Sequence, residues 1–519
     1  MANRFIVYIL ALLFLVSCAG YKPRYIEEPR LATPPAVVVP EGFNTENYNA
    51  IHENEFLNAA SNPLSTFSID VDAASYSNVR RFINDNRLPP IDAVRIEEMI
   101  NYFSYDYPQP RGRHPFSVTT EVSECPWERS HKLIHIGLQG EEIPVDDLPP
   151  ANLVFLLDVS GSMNSPDKLP LLKSAFKMLV KQLRREDRVA IVVYAGAAGL
   201  VLPSCDGNKK RKILRAIDRL QAGGTTAGAA GIRLAYRIAG ENFVEYGNNR
   251  VILATDGDFN VGVSSDAELI RLIEKEREKG VYLTVLGFGT GNLKDSRMEQ
   301  LADKGNGNYA FIDNKSEARK VLVSELGGTL FTIARDVKVQ VEFNPVNVDA
   351  YRLIGYENRL LKKEDFSDDK KDAGEMGSGH SVTVLYEIIP AGVESRSART
   401  ESLKYQTTGI NPEALKSDEL MTIKFRYKLP DDNEIELFVK TVMDDDLPLR
   451  KSSENFRFSA AVTEFGMLLR DSKLKGRATY NQAIRLAESS LGRDKEGYRE
   501  EFVELVESCA LMAEDMTER

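Results

Sequence analysis

Three short stretches, far apart in the chain, are rich in small, hard oxygen donors: Asp158-Val-Ser160-Gly-Ser162, Gly223-Gly-Thr-Thr226-Ala-Gly and Thr255-Asp256-Gly257-Asp258. Carboxylates and hydroxyls in such company suit a hard divalent cation, which takes oxygen ligands and, in the case of Mg²⁺, near-octahedral geometry. Taken singly each stretch has a plainer reading, with Asp158 and Ser160 capping a helix and Asp256-Gly257 forming a turn. Their joint occurrence is harder to dismiss, because the first follows a continuous apolar run, Leu153-Val-Phe-Leu-Leu157, and the third follows Arg250-Val-Ile-Leu-Ala254, apolar after its arginine. Such runs are expected of strands covered on both faces.

The elements that must position these loops follow from periodicity. Leu172, Ala175, Phe176, Leu179, Val180 and Leu183 recur at helical spacing, which buries one side of a helix directly after the first loop. Residues 188–194 read as the next strand, 209–220 as a helix and 281–287 as a further strand. Strands alternating with helices imply βαβ units and a doubly wound, mostly parallel central sheet. In such a sheet the loops at the carboxyl ends of the central strands meet in one crevice, so residues distant in sequence can share a site.

The order DxSxS, Gly-Gly-x-Thr and Thr-Asp-Gly resembles the metal-ion-dependent adhesion site (MIDAS) of von Willebrand factor type A (VWA) domains, over roughly Asn152 to Asp336. The resemblance implies a Rossmann-like VWA fold and a metal held by Asp158, Ser160, Ser162, Thr226 and Asp256. Thr226 rather than Thr225 matches because Gly231-Ile232 then opens the following helix at the family's spacing. Mg²⁺ is the implied ion, with Mn²⁺ or Ca²⁺ as alternatives. Two aspartates, one of them reaching the ion through water, and three hydroxyls leave such an ion under-neutralised in its direct ligands and with an open position, which an acidic side chain of a protein partner would fill. The longer match Thr-Asp-Gly-Asp258-Phe-Asn260-Val-Gly262 is similar to a bacterial subgroup that adds an N-terminal segment and a C-terminal domain of unknown function. Ser68-Ile-Asp70-Val-Asp72-Ala-Ala-Ser-Tyr76 resembles that subgroup's N-terminal segment. The pair Asp70 and Asp72 reads as the solvated face of an alternating strand.

The flanks set the remaining organisation. Arg4 and the apolar run from Phe5 to Val16 make a signal peptide over 1–17, too short to span a bilayer comfortably. Leu15-Val16-Ser17-Cys18 resembles a bacterial lipobox, which implies lipidation of Cys18; several acyl chains anchor a protein stably. Ala19 resembles the outer-membrane retention pattern, so the expected location is the cell envelope, lipid-anchored at the outer membrane and facing the periplasm or the surface. Residues 18–60 are Pro-rich and then polar and read as a flexible tether. A mixed α/β segment over 61–150, the VWA domain over 151–336, a β-rich sandwich-like domain over 337–450 and a helical region over 451–519 follow. Within the β-rich part, 362–379 is dense in charge and Gly and reads as a disordered excursion.

Composition narrows the function. A net charge of −11 argues against a nucleic-acid surface, which needs clustered Lys and Arg. The cysteines besides Cys18, namely Cys125, Cys205 and Cys509, form no metal pair and read as buried free thiols. The five histidines stand in no HExxH motif or nucleophile elbow, and His131 and His135 read as satisfied imidazoles. With no distinctive general base near Asp158, a binding role is expected rather than an enzyme, with no small-molecule substrate. The competing expectation is a structural envelope-assembly lipoprotein in which the metal only stiffens the loops.

Overall fold

A computed structural model describes residues 46–224, 228–257, 266–325, 331–371, 373–393, 410–430 and 434–517. The signal peptide, Cys18 and most of the tether, Thr226 and the stretch from Asp258 to Gly262 lie outside the described residues. Residues 44–519 form one compact unit, with no helix among the described residues long and apolar enough to cross a membrane.

At its centre is a six-stranded sheet in the order Tyr309–Ile312, Val281–Phe288, Asn248–Thr255, Ala151–Asp158, Arg188–Tyr194, Ala198–Asp206. All neighbours are parallel except the last pair. Every residue of Ala151–Asp158 is buried. Its alternating side chains feed two cores: Leu153, Phe155 and Leu157 pack with the helix Leu169–Gln182 on one face, Val154 and Leu156 with the helix Gly228–Glu241 on the other. Each such side chain contributes about 1.5–3 kcal/mol on burial, which explains the unbroken apolar run. From this strand the chain first builds outward to Arg188–Tyr194 and later returns to place Asn248–Thr255 on the opposite side. The strand order therefore reverses beside Asp158, and the carboxyl ends on either side of the reversal frame a crevice.

The flanking regions differ from the expected succession of separate domains. Phe116–Glu124 and Lys132–Gly140, from the N-terminal segment, join Ser381–Pro390, Val348–Ile354 and Leu57–Asn58 in one antiparallel sheet. Leu64–Ser68 pairs with Thr332–Phe343, the centre of a second sheet that includes Glu419–Lys428, Ile435–Met443 and Gly374–Gly377. The two sheets enclose a common core that includes Phe67, Ile136, Val339, Val384 and Phe425. The helices Ala74–Asn84 and Ile96–Asn101 share another core with the C-terminal helices Glu454–Leu469, Tyr480–Glu488 and Tyr498–Thr517. Segments 61–150, 337–450 and 451–519 are thus one interleaved body into whose sequence the domain around the central six-stranded sheet is inserted. Alternation within a strand shows which face is buried but not which distant strand lies beside it.

Three local expectations are also corrected. The tether does not extend to residue 60: Asn54 donates to the carbonyls of Leu353 and Gly355 at 3.1 and 2.8 Å, and Leu57–Asn58 joins a sheet. Polar composition there supplies hydrogen bonds to a neighbour rather than solvation. The charged stretch 362–379 is built in, with Lys363–Ser367 as a 3₁₀ turn, Gly374–Gly377 as a strand and Asp369 paired with Arg426. Asp72 is not solvated but buried, accepting from the Tyr309 backbone N–H at 2.7 Å and pairing with Arg359 at 3.2 Å; Asp70 pairs with the same arginine at 3.2 Å. The three described cysteines are free and buried. His135 bonds to Tyr107 and Ser459, and His131 to Glu387.

A buried ion cluster joins the inserted domain to the surrounding body. Arg80, 0 % exposed, meets Asp313 at 2.5 Å, Glu317 at 2.7 Å, Glu501 at 3.0 Å and the Tyr102 hydroxyl at 2.9 Å. Removing one partner of a buried cluster strands the others without solvent or counter-charge. Arg80→Met should therefore lower stability by about 3–5 kcal/mol in urea unfolding; a loss below about 1 kcal/mol would show the contacts to be dispensable.

Glu464, in the middle of Glu454–Leu469, is wholly buried and its carboxylate has no hydrogen-bond partner among the described residues. Burial pushes its pKa up to about 8 against the opposing pull of Arg485. From about pH 5 to about pH 8 the folded protein keeps a proton that the unfolded chain releases, so stability falls as pH rises through that window. Glu464→Gln should abolish this part of the decline and leave the variant more stable than wild type at about pH 9, as read from chemical unfolding at several pH values. Parallel pH profiles for the two proteins would rule out this role for Glu464.

Candidate metal centre

Asp158 is the last residue of its strand, and Thr255 ends the strand beside it. The chain turns sharply after both, which aims their polar groups into the crevice. Asp158 is 0 % exposed; its Oδ1 accepts from the Ser160 backbone N–H at 2.8 Å and its Oδ2 from the Thr255 hydroxyl at 3.3 Å. The Ser160 and Ser162 hydroxyls stand 3.0 Å apart, and Ser162 also hydrogen-bonds Asp256. The structure thus brings Asp158, Ser160, Ser162 and Asp256 together; the fifth residue of the set, Thr226, is outside the described residues.

The second loop reaches the first through backbone. Gly223 N–H donates to the Val159 carbonyl at 2.8 Å, and Gly161 N–H to the Gly224 carbonyl at 3.0 Å. Beneath them, Gly231 on the helix Gly228–Glu241 lies so close to Tyr194 that a Cβ would stand 2.9 Å from the tyrosine Cβ. The glycine lets the helix that follows the second loop pack tightly on the sheet.

The two carboxylates differ in their surroundings. Burial pushes Asp158 up to about 6, against hydrogen bonds from Ser160 and Tyr194 that favour the ionised form and with the nearby charge of Asp256 adding to the rise. Burial also acts to raise Asp256, but hydrogen bonds from Asn292 and Lys168 outweigh it and hold the group below the usual range. Lys168 Nζ lies 2.9 Å from Asp256 Oδ2 and 3.1 Å from Asn292 Oδ1. These two residues escape sequence reasoning. A lysine at the start of a helix reads as solvated, and Asn292 lies in a loop after Val281–Phe288 with no motif of its own.

The donor set fits a hard divalent cation. Hydroxyls and two carboxylates converge without a thiolate or imidazole, the composition expected for Mg²⁺ or Mn²⁺ rather than a softer metal. Among the described residues no group of three or more His, Cys, Asp or Glu is placed to hold a metal, so a cation at this position would depend on the serine hydroxyls.

Comparison with known proteins follows the same division of the chain. The family model described as von Willebrand factor type A domain matches residues 152–325, that described as von Willebrand factor matches 42–135, and that described as Uncharacterized protein YfbK, C-terminal, matches 328–512. A protein of Escherichia coli strain K12, Uncharacterized protein YfbK, is 42% identical over 474 residues, covering 89% of this chain and 81% of the relative. The bovine inter-alpha-trypsin inhibitor heavy chain H3 is 27% identical over 177 residues, 33% of this chain and 20% of that protein. Among solved structures, a von Willebrand factor type A protein from Catenulispora acidiphila covers 76% of this chain and 91% of its own at 18% identity and a TM-score of 0.38. Proximal thread matrix protein 1 from the mussel byssus, with a zinc-occupied MIDAS motif, covers 37% of this chain and 46% of its own at 24% identity and a TM-score of 0.29. Identity of this extent along nearly the whole chain, with an inserted VWA domain and a matching C-terminal region, places the chain in the YfbK family of bacterial VWA-domain proteins.

Proposed function

We propose that this chain is a lipid-anchored envelope protein that binds a protein partner through a divalent cation. Asp158, Ser160, Ser162, Thr226 and Asp256 would hold the ion, Mg²⁺ in the first instance, and an acidic side chain of the partner would complete its coordination. The observation that carries the reading is the convergence of the Asp158, Ser160, Ser162 and Asp256 oxygens at the point where the strand order reverses. VWA domains serve protein–protein interaction generally, and the resemblance of Leu15-Val16-Ser17-Cys18 to a lipobox supplies the anchor, with the outer membrane as the expected site.

The reading is one of binding and not of catalysis. Water activation on a metal calls for a positioned general base, and the hydrogen bonds described for His114, His131 and His135 run to Tyr427, Glu387, Tyr107 and Ser459, within the surrounding body. A cation that merely stiffened the loops is the weaker alternative, because backbone bonds from Gly223 and Gly161 already tie the first two loops together.

The direct test is crosslinking in native envelopes. The wild type should capture a partner that is lost with EDTA and regained with Mg²⁺, and Asp158→Ala should capture none under either condition; equal recovery by both proteins rules the reading out. The third loop offers a separate check. Gly257 has φ +98, and a Cβ there would stand 2.8 Å from the Asn292 carbonyl oxygen, Leu293 Cα and Lys294 N. Gly257→Ala should cost about 2–4 kcal/mol in thermal unfolding and weaken metal binding together, since strain and overlap fall on the turn that carries Asp256. A variant of wild-type stability would show that the turn yields freely.

A further inference from the structure

Lys168 is built into the site rather than placed on its surface. Its side chain is 9 % exposed and ends 2.9 Å from a carboxylate that is wholly buried. The alkyl stem crosses Gly289, where φ is +76 and a Cβ would stand 2.3 Å from Lys168 Cγ and 2.4 Å from Cε, so only glycine admits it. The loop that supplies Gly289 and Asn292 is itself held from outside. Gly291 N–H donates to Glu46 Oε1 at 2.8 Å, Asn47 N–H donates to the Leu293 carbonyl at 3.1 Å, and Arg81 grips the Glu46 carboxylate through two bonds of 3.0 Å. From the other side the same loop abuts Gly257. Four separate parts of the chain cooperate to keep one ammonium group on Asp256.

An ammonium there works against a cation at the neighbouring oxygens, yet the fold goes to this length to keep it. Formal charge gives the reason. Asp158 and Asp256 carry −1 each and Lys168 +1, so a bound divalent ion leaves the centre at +1, whereas without Lys168 it would stand at zero. A neutral centre has little call on an outside carboxylate; a positive one, with Asp158 and Asp256 themselves buried and Ser162 open to solvent, attracts it strongly. We propose that Lys168 is a specificity-determining residue, which weakens the site's own hold on the metal so that the metal demands an acidic ligand from the partner. This rests on the metal-dependent reading above.

The test uses the full chain, with Mn²⁺ followed by electron paramagnetic resonance and glutarate as a model carboxylate followed by the broadening of its proton resonances on the Mn²⁺-loaded protein. Lys168→Met should bind Mn²⁺ roughly tenfold more tightly, because a charge repelling the ion is gone, while glutarate binds several-fold more weakly. Opposite movements are not what a merely structural role would give, since a damaged loop weakens both. Lys168→Gln serves the same comparison if the methionine variant does not fold. Equal or weaker Mn²⁺ binding by the variant beside a binding wild type overturns the role of Lys168 alone, and absence of binding in both overturns it together with the metal reading. Binding by the variant only would overturn the proposal as well, since a wild type without the ion has nothing that demands a carboxylate from the partner.

Discussion

A guanidinium removed from water must be surrounded by counter-charge, and the architecture of this chain is organised around meeting that requirement at Arg80. Its partners come from regions that are remote in sequence: Tyr102 from the N-terminal segment, Asp313 and Glu317 from the end of the VWA domain, Glu501 from the last helix. None of these groups could be buried alone without heavy cost. The inserted domain and the body around it are thereby held in one arrangement, and the helix Ala74–Asn84 that carries Arg80 also bears Arg81, which holds Glu46, whose carboxylate in turn accepts from Gly291 in the loop beside the metal centre.

The seam between domain and body is correspondingly rich in buried acids. Burial raises Glu98 to about 8 and Asp295 to about 6, with neighbouring carboxylates adding to the rise and Arg95 opposing it. Arg359 gathers Asp70, Asp72, Glu299 and Asp303 in the same way. The metal centre repeats the theme on a smaller scale, with one cationic side chain facing two enclosed carboxylates. Throughout, a single basic group placed among several acids offsets only part of their formal charge.

Much of the inserted domain was legible because its elements satisfy local rules. Continuous apolar runs marked the two central strands, and the spacing of Leu172, Phe176 and Leu179 marked the helix between the first loop and the next strand. The edge strand Ala198–Asp206 was missed because it alternates only weakly and runs antiparallel. Ile435–Met443 was missed as well, an edge strand that leaves Leu437 and Val439 about half exposed. The helical C-terminus was read from amphipathic spacing, while the partnership of its helices with Ala74–Asn84 could not be, since helical periodicity names a buried face but not what covers it.

The sequence by itself determined the order of oxygen-bearing loops, the strands that end in them and the family to which they belong, because each depends on neighbours within a few residues. Only the tertiary structure decided that the flanking segments close into one body, that Asp72 is buried against Arg359, and that Lys168 rests on Asp256 rather than in solvent. These outcomes turn on contacts between residues far apart in the chain, where charge must be paired in whatever space the packed elements leave. A lysine ten positions beyond the first aspartate carries no local sign of this role. Its environment exists only once Gly289, Asn292 and the Glu46 segment have been brought around it.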